Sequence, residues 1–230
     1  MATQHTVKAF DEEIGELRTL IAAMGGRAEV AITRAIDALT SGDEAAAAEI
    51  VEGDREIDRL EAEVERLAVR IIALRAPMAN DLRDVVAALK IAGVVERIGD
   101  YAKNIAKRVP TTRKDRKIEP LSVLPAMGLA ARDLVRDALD AFAARDPGKA
   151  EKVCERDREI DDFYDSIFRA LVTFMIENPP TISSAAHLLF VAKNLERIGD
   201  HATNIAEMVY YAATGEYMHE RERGKSPVGQ

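Results

Sequence analysis

The pentapeptide Glu-Arg-Ile-Gly-Asp stands at Glu96 to Asp100 and again at Glu196 to Asp200, 100 residues later. Identity continues through Ala102, Asn104, Ile105 and Ala106 in the first copy and Ala202, Asn204, Ile205 and Ala206 in the second, so nine of eleven positions match. A second block, Asp-Arg-Glu-Ile-Asp, lies upstream of each copy at Asp54 to Asp58 and Asp157 to Asp161. The chain is two copies of one unit, and whatever it folds into must be built twice. Each copy carries an Asp-x-x-x-Asp and a Glu-x-x-x-Asp, and on a helix residues four apart share a face one turn apart.

The units read as helices. Aromatic residues are scarce (5%), charged residues abundant (31%), and apolar positions recur at threes and fours, the pattern of long amphipathic helices rather than strands. Length favours two lobes of roughly 100 residues each over one large core. Prolines at 77, 110, 120, 125, 147, 179 and 180 leave long proline-free segments between them, and those segments are the helices.

The predicted helices run from about Phe10 to Leu39, Glu44 to Arg75 and Asp81 to Val109; the second lobe repeats them, with helices at about Lys149 to Glu177 and Ser183 to Ala213. Gly25-Gly26 interrupts the first helix, which implies a bend or a close helix approach. The repeat offset falls from 103 to 100, so the fifth helix is expected to be about three residues shorter than the second. The expectation is an all-α chain of six helices in two tandem three-helix bundles, residues 1–112 and 113–218, followed by a polar tail at 219–230.

Charge and motif content exclude several functions. The 32 basic and 40 acidic residues give a net charge of −8 and are interspersed along the helices, which argues against nucleic acid as a ligand. No stretch approaches the ~20 apolar residues of a membrane span, and the first ten residues hold no signal-like apolar run. A cytoplasmic protein without membrane insertion is expected. The single cysteine, Cys154, reads as a small core residue and fits a reducing compartment. No Ser-His-Asp set, phosphate-binding glycine loop or Cys-His zinc spacing is present, and His5, His187 and His219 read as surface or structural residues.

The acidic blocks remain. Asp54 and Asp58 precede the turn at Pro77 by about 20 residues, and Glu96 and Asp100 follow it by about 20, so antiparallel packing brings the pairs level. The second lobe repeats the count around Pro179 for Asp157, Asp161, Glu196 and Asp200. Helical phase places Asp54 and Asp58 on the flank of the Ile50, Ile57, Leu60 and Val64 stripe and turns Glu96 and Asp100 away from Val94, Ile98, Ala102 and Ile105, which predicts a shallow acidic site near the bundle surface, roofed by the other lobe or another subunit.

Level carboxylates repel unless protons, basic side chains or cations intervene. The bland account is pairing with Arg55, Arg59, Arg97 and Lys103 on a solvated face. Duplication favours metal instead: both lobes keep the acidic positions while neighbours diverge, as with Gly93 against Lys193 and Tyr101 against His201. Gly99 and Gly199 also persist in mid-helix, where glycine needs a packing or close-approach reason. An all-oxygen set, with Asn104 one turn beyond Asp100, suits Mg, Ca, Mn or Fe and is compatible with zinc. Asn204 and His201 are further candidates in the second lobe.

The two repeated blocks, with Met24-Gly25-Gly26, Arg70-Ile71-Ile72 and Tyr210-Tyr211, resemble the PhoU family of phosphate-specific transport accessory proteins. The resemblance covers almost the whole chain. It implies two three-helix bundles related by a pseudo-twofold, often as a homodimer, with multinuclear iron or zinc clusters on the acidic motifs. By position, the ligands are Asp54, Asp58, Glu96 and Asp100, and Asp157, Asp161, Glu196 and Asp200. It also implies a regulator rather than an enzyme: an adaptor joining the ATPase subunit of a phosphate ABC transporter to a sensor histidine kinase, and repressing phosphate-starvation genes when phosphate is plentiful. Tyr101 stands where the family often has histidine, so no fifth ligand is implied there. Two other readings stay open. A carboxylate-metal helical-bundle enzyme needs an open coordination position and an acid-base partner; a purely structural helical adaptor needs no metal.

Overall fold

The computed structural model describes residues 2–112 and 122–218. The predicted tail at 219–230, with His219, and residues 113–121 lie outside the described residues. Every element is helical: α1 (Ala2–Ser41), α2 (Glu44–Gly53), α3 (Arg55–Arg75), α4 (Asn80–Ala106), the short α5 (Val109–Thr112), α6 (Leu124–Ala144), α7 (Pro147–Glu177) and α8 (Ile182–Thr214), with a 3-10 turn at Pro179–Thr181. Asp54, between α2 and α3, keeps helical angles of −59° and −34°, so α2 and α3 form the single predicted second helix with one loosened turn. Six long helices result, and no strand occurs among the described residues.

Local chemistry sets the ends. Asp43 Oδ1 accepts from the backbone N–H of Ala45 and of Ala46 at 3.0 Å each, and Asp146 Oδ1 from those of Gly148 and Lys149 at 3.0 and 3.1 Å. Both are helix N-caps that satisfy otherwise orphaned donors. Left-handed residues stop α3 at Ala76 (φ 47°), α6 at Arg145 (φ 53°) and α8 at Gly215 (φ 81°). Arg75 and Glu177 close the equivalent helices 102 positions apart. Only one of the three missing residues is therefore lost inside the helix; the connections at 76–79 and 178–181 are equally long, and the other two are lost between the start of α8 and Glu196.

The lobes share one core. Met24, Ile32, Ile91, Ile98, Met127 and Leu134 are fully buried and belong to one continuous cluster that spans both halves. The separate cores suggested by chain length are not what forms, because α1 packs on α6 and α4 on α8, lobe against lobe. Gly25 shows why this contact is so close: a Cβ there would lie 2.2 Å from Leu139 Cδ1. Its counterpart Gly128 admits Ile36 in the same way, at 2.8 Å. Each lobe thus supplies a glycine hole for the other's aliphatic knob, and the glycine pair reads as close approach. Gly26 faces open space. Ion pairs Arg136–Glu29 (2.7 Å) and Arg145–Asp84 (2.9 Å) also join the lobes. Among the described residues, no helix is long and apolar enough to cross a membrane.

Candidate metal centre

Gly99 and Gly199 bring the acidic blocks together. A Cβ on Gly99 would meet Ile57 Cδ1 at 2.8 Å and Asp54 Oδ1 at 3.3 Å; one on Gly199 would meet Ile160 Cδ1 at 2.9 Å and Asp157 Oδ1 at 3.1 Å. The missing side chains let α3 lie against α4, and α7 against α8, with an aspartate pressed onto the glycine turn. That is the close approach expected for these mid-helix glycines.

In the first lobe Asp54 is buried, at 7% exposure, while Glu96 and Asp100 are half-buried and Asp58 is exposed. The Lys103 ammonium donates to Asp54 Oδ2 and to Asp100 Oδ1, the latter at 2.5 Å. Burial alone would pull this lysine down, but its bonds to Asp100 and Asp54 outweigh that and hold it above the ordinary lysine range. Arg55 and Arg59 turn elsewhere, to Glu52 and to Glu56 and Glu63. Of the four basic residues expected to pair with the block, Lys103 is the one in ion pairs with its quartet carboxylates, Asp54 and Asp100.

Glu96 sits one turn from Asp100 and is pushed up to about 7, first by burial, then by Asp100, Glu61 and Asp58, with Arg97 pulling the other way. Glu61 escaped the sequence reading. It is half-buried, its own carboxyl is raised by burial and by Glu65 and Asp58, and its Oε1 lies 3.3 Å from where a Cβ on Gly93 would be. The available signal was its spacing, three residues beyond Asp58 on the same helical face.

The second lobe solves the same charge problem differently. Asp161 is exposed as a residue, yet partial desolvation of its carboxyl, and then Glu196, raise it. Lys193 pairs with Glu196 Oε2, a buried oxygen with no well-directed hydrogen bond, so charge rather than geometry holds the pair. The same ammonium lies 5.1 Å from the Tyr164 ring. Lys193 and Tyr164 are the counterparts of Gly93 and Glu61, while Thr203, counterpart of Lys103, donates its hydroxyl to the Asp200 carbonyl at 2.7 Å. Asp157 is half-buried, and Asp161 and Asp200 are exposed.

The remaining candidates fall around these quartets. Asn104 and Asn204 are half-buried one turn beyond Asp100 and Asp200. His201 Nδ1 faces the Arg197 carbonyl at 2.8 Å, and its ring packs on Tyr101; burial lowers its basicity, partly opposed by that carbonyl and by Asp200. His187 lies 3.3 Å from an Arg108 nitrogen. Cys154 is buried, 3.9 Å from the Thr203 carbonyl, as a core thiol would be. Among the described residues no three His, Cys, Asp or Glu side chains converge as a ready metal cage. The carboxylates stand level in pairs, and an ammonium occupies the space between Asp54 and Asp100. A groove of about 470 Å³ between α1 and α2, lined by Gly26, Val30 and Gly53 among others, reaches Asp54 and Gly99.

The profile of the PhoU domain matches residues 21–109 and 124–209. The chain belongs to the PhoU family. Both matched segments contain one acidic quartet. A phosphate-specific transport system accessory protein PhoU homolog of Zymomonas mobilis subsp. mobilis is 60% identical over 221 residues, 96% of this chain and 93% of that protein. One from Caulobacter vibrioides is 47% identical over 93% of this chain and 94% of its own length. The crystal structure of PhoU from Pseudomonas aeruginosa superposes with a TM-score of 0.86 at 36% identity, covering 90% of this chain and 100% of that one. The phosphate transport system regulatory protein PhoU from Streptococcus pneumoniae gives 0.85 at 29% identity, covering 91% and 99%. The likeness to the PhoU family thus extends through both lobes.

Proposed function

We propose that this chain is a cytoplasmic negative regulator of phosphate uptake and of the phosphate-starvation response. It acts as a dimeric, metal-binding adaptor between the ATPase subunit of a phosphate ABC transporter and a sensor histidine kinase. The observation that carries this reading is near full-length similarity to accessory and regulatory proteins of phosphate transport. Exposed apolar side chains at the two helix-hairpin tips, Leu74 and Met78 on one and Ile176 and Ile182 on the other, supply surface suited to docking. The role is regulatory rather than catalytic.

The donor chemistry fits a hard or borderline cation. The oxygens belong to carboxylates, burial and then the neighbouring carboxylates hold Glu96 near 7, and a positive group already sits between two of them. Asp54, Asp58, Glu96 and Asp100 would hold the metal in one lobe, and Asp157, Asp161, Glu196 and Asp200 in the other, as iron or zinc clusters or with manganese or magnesium. A bound cation would neutralise the quartets and so change the charge of the face offered to a partner. The Lys103 contacts also favour a second reading, an adaptor whose acidic faces are neutralised by lysine alone.

Deletion of the gene in its host tests the regulatory role. Derepressed phosphate-starvation genes at high phosphate, restored by the intact gene, are expected; unchanged expression and unchanged phosphate uptake would sink it.

A further inference from the structure

Each lobe keeps one lysine against its acidic quartet, and the two lysines come from different positions of the repeat. Lys103 has Thr203 as its counterpart, and Lys193 has Gly93. Divergence that preserves the eight carboxylates and supplies an ammonium from opposite ends indicates that positive charge is required at these places, whatever its source. Lys103 Nζ is held by carboxylates from two helices, Asp54 at the α2–α3 junction and Asp100 of α4. That is the kind of bridging position an oxygen-liganded ion takes. Asp54 is buried, so its charge is tolerated there because a cation accompanies it.

Two further features make exchange feasible. The Lys103 side chain is 22% exposed, so its flexible stem can release the ammonium into water. The groove between α1 and α2 reaches Asp54 and is not lined by Lys103, so it offers a small ion a path to this carboxylate. The second lobe fills equivalent positions with larger side chains, Leu129 for Gly26 and Arg156 for Gly53.

Resting on the metal-binding reading above, we propose that Lys103 and Lys193 are resident counter-ions that a divalent cation must displace. Metal loading and the inward position of Lys103 are mutually exclusive. Loading moves an ammonium from the quartet to the surface, so a partner meets a different charge pattern in the two states.

Manganese(II) binding by equilibrium dialysis on the full, chelator-treated chain tests this, comparing the parent with Lys103→Met, Lys103→Arg and Lys193→Met. Acetylation of Lys103 is followed by mass spectrometry with and without manganese. Lys103→Met is expected to bind about tenfold tighter, the scale of changes next to metal ligands, while Lys103→Arg, which keeps the charge, shows no gain. Manganese should increase Lys103 acetylation in the parent. Lys193→Met changes a side chain that is 41% exposed and carries the test if Lys103→Met does not fold. A parent that binds manganese with affinity unchanged in both Met variants, or with Lys103 acetylation unchanged, overturns the counter-ion proposal and leaves the metal reading standing. Binding by the Met variants but not by the parent also overturns the proposal, since no cation then displaces the lysines of the native chain. Failure of every variant to bind overturns both.

Discussion

Tyr101 and His201 meet edge to face, with ring centroids 5.1 Å apart and planes at 78°. They occupy the same position in the two repeats, so the pseudo-twofold relating the lobes passes between them; a residue touches its own counterpart only near such an axis. Arg197 lies 5.9 Å from the Tyr101 ring, and Arg97 acts on His201 from the other repeat. The Glu-Arg-Ile-Gly-Asp motif is therefore two-sided. Its arginine and the residue after it face the other lobe, while its glutamate and aspartate face the neighbouring helix of their own. Asp58 and Asp161 open to solvent instead of lying beneath the other lobe.

That contact should be measurable by a double-mutant cycle. Tyr101→Ala and His201→Ala are expected to couple by about 1 kcal/mol in urea unfolding, the scale of an edge-to-face ring pair. Additive effects would mean that the rings touch without stabilising the interface.

Adjacent glycines in α1 should respond oppositely to alanine. Gly26→Ala is expected to stabilise by about 1 kcal/mol through helix propensity, since nothing lies within 4 Å of the added Cβ. Gly25→Ala forces Leu139 out of its place, at a cost of roughly 1–3 kcal/mol that exceeds the propensity gain. Equal shifts in the denaturation midpoints of the two variants would refute the knob-and-hole contact between lobes.

Ala76 ends α3 in the left-handed region, which a side chain disfavours by roughly 1–2 kcal/mol. Ala76→Gly is therefore expected to raise the melting temperature, with most of that strain removed. A lowered melting temperature would contradict the assigned turn.

The first acidic quartet gives stability a defined pH dependence when metal is absent. Glu96 is raised from 4.5 to about 7 in the folded chain. Between those values the unfolded chain has given up a proton that the folded chain keeps, so stability falls as pH rises through this window and the loss is complete above it. In chelator, Glu96→Gln is expected to raise the urea midpoint at about pH 8 and leave it unchanged at about pH 4. A lower midpoint at the higher pH would show that the carboxylate is stabilised by a partner.

The helices were legible because proline gaps and apolar spacing are local signals, and residue counting from Pro77 and Pro179 correctly brought the carboxylate pairs level. Contacts between repeats were not. Nothing in the Gly25-Gly26 pair distinguishes the glycine that receives Leu139 from the one facing open space, since the knob lies far along the chain. An amphipathic stripe likewise does not name the helix that covers it, which is why α1–α6 and α4–α8 merged two expected cores into one. In the site, charge spacing marked Arg55, Arg59, Arg97 and Lys103 alike. Side-chain reach selected Lys103, and Glu61 became relevant only when α4 placed Gly93 beside it.

The central claim is that the duplicated acidic quartets hold cations in this regulator. Metal content per chain, measured on protein purified without chelator, tests it most directly against a variant carrying Glu96→Ala, Asp100→Ala, Glu196→Ala and Asp200→Ala. Substantial iron, zinc or manganese in the parent and almost none in the folded variant is the predicted result. Equal metal content in the two proteins, or none in the parent even after reconstitution, would contradict it and leave salt-bridged helix faces in place of metal sites.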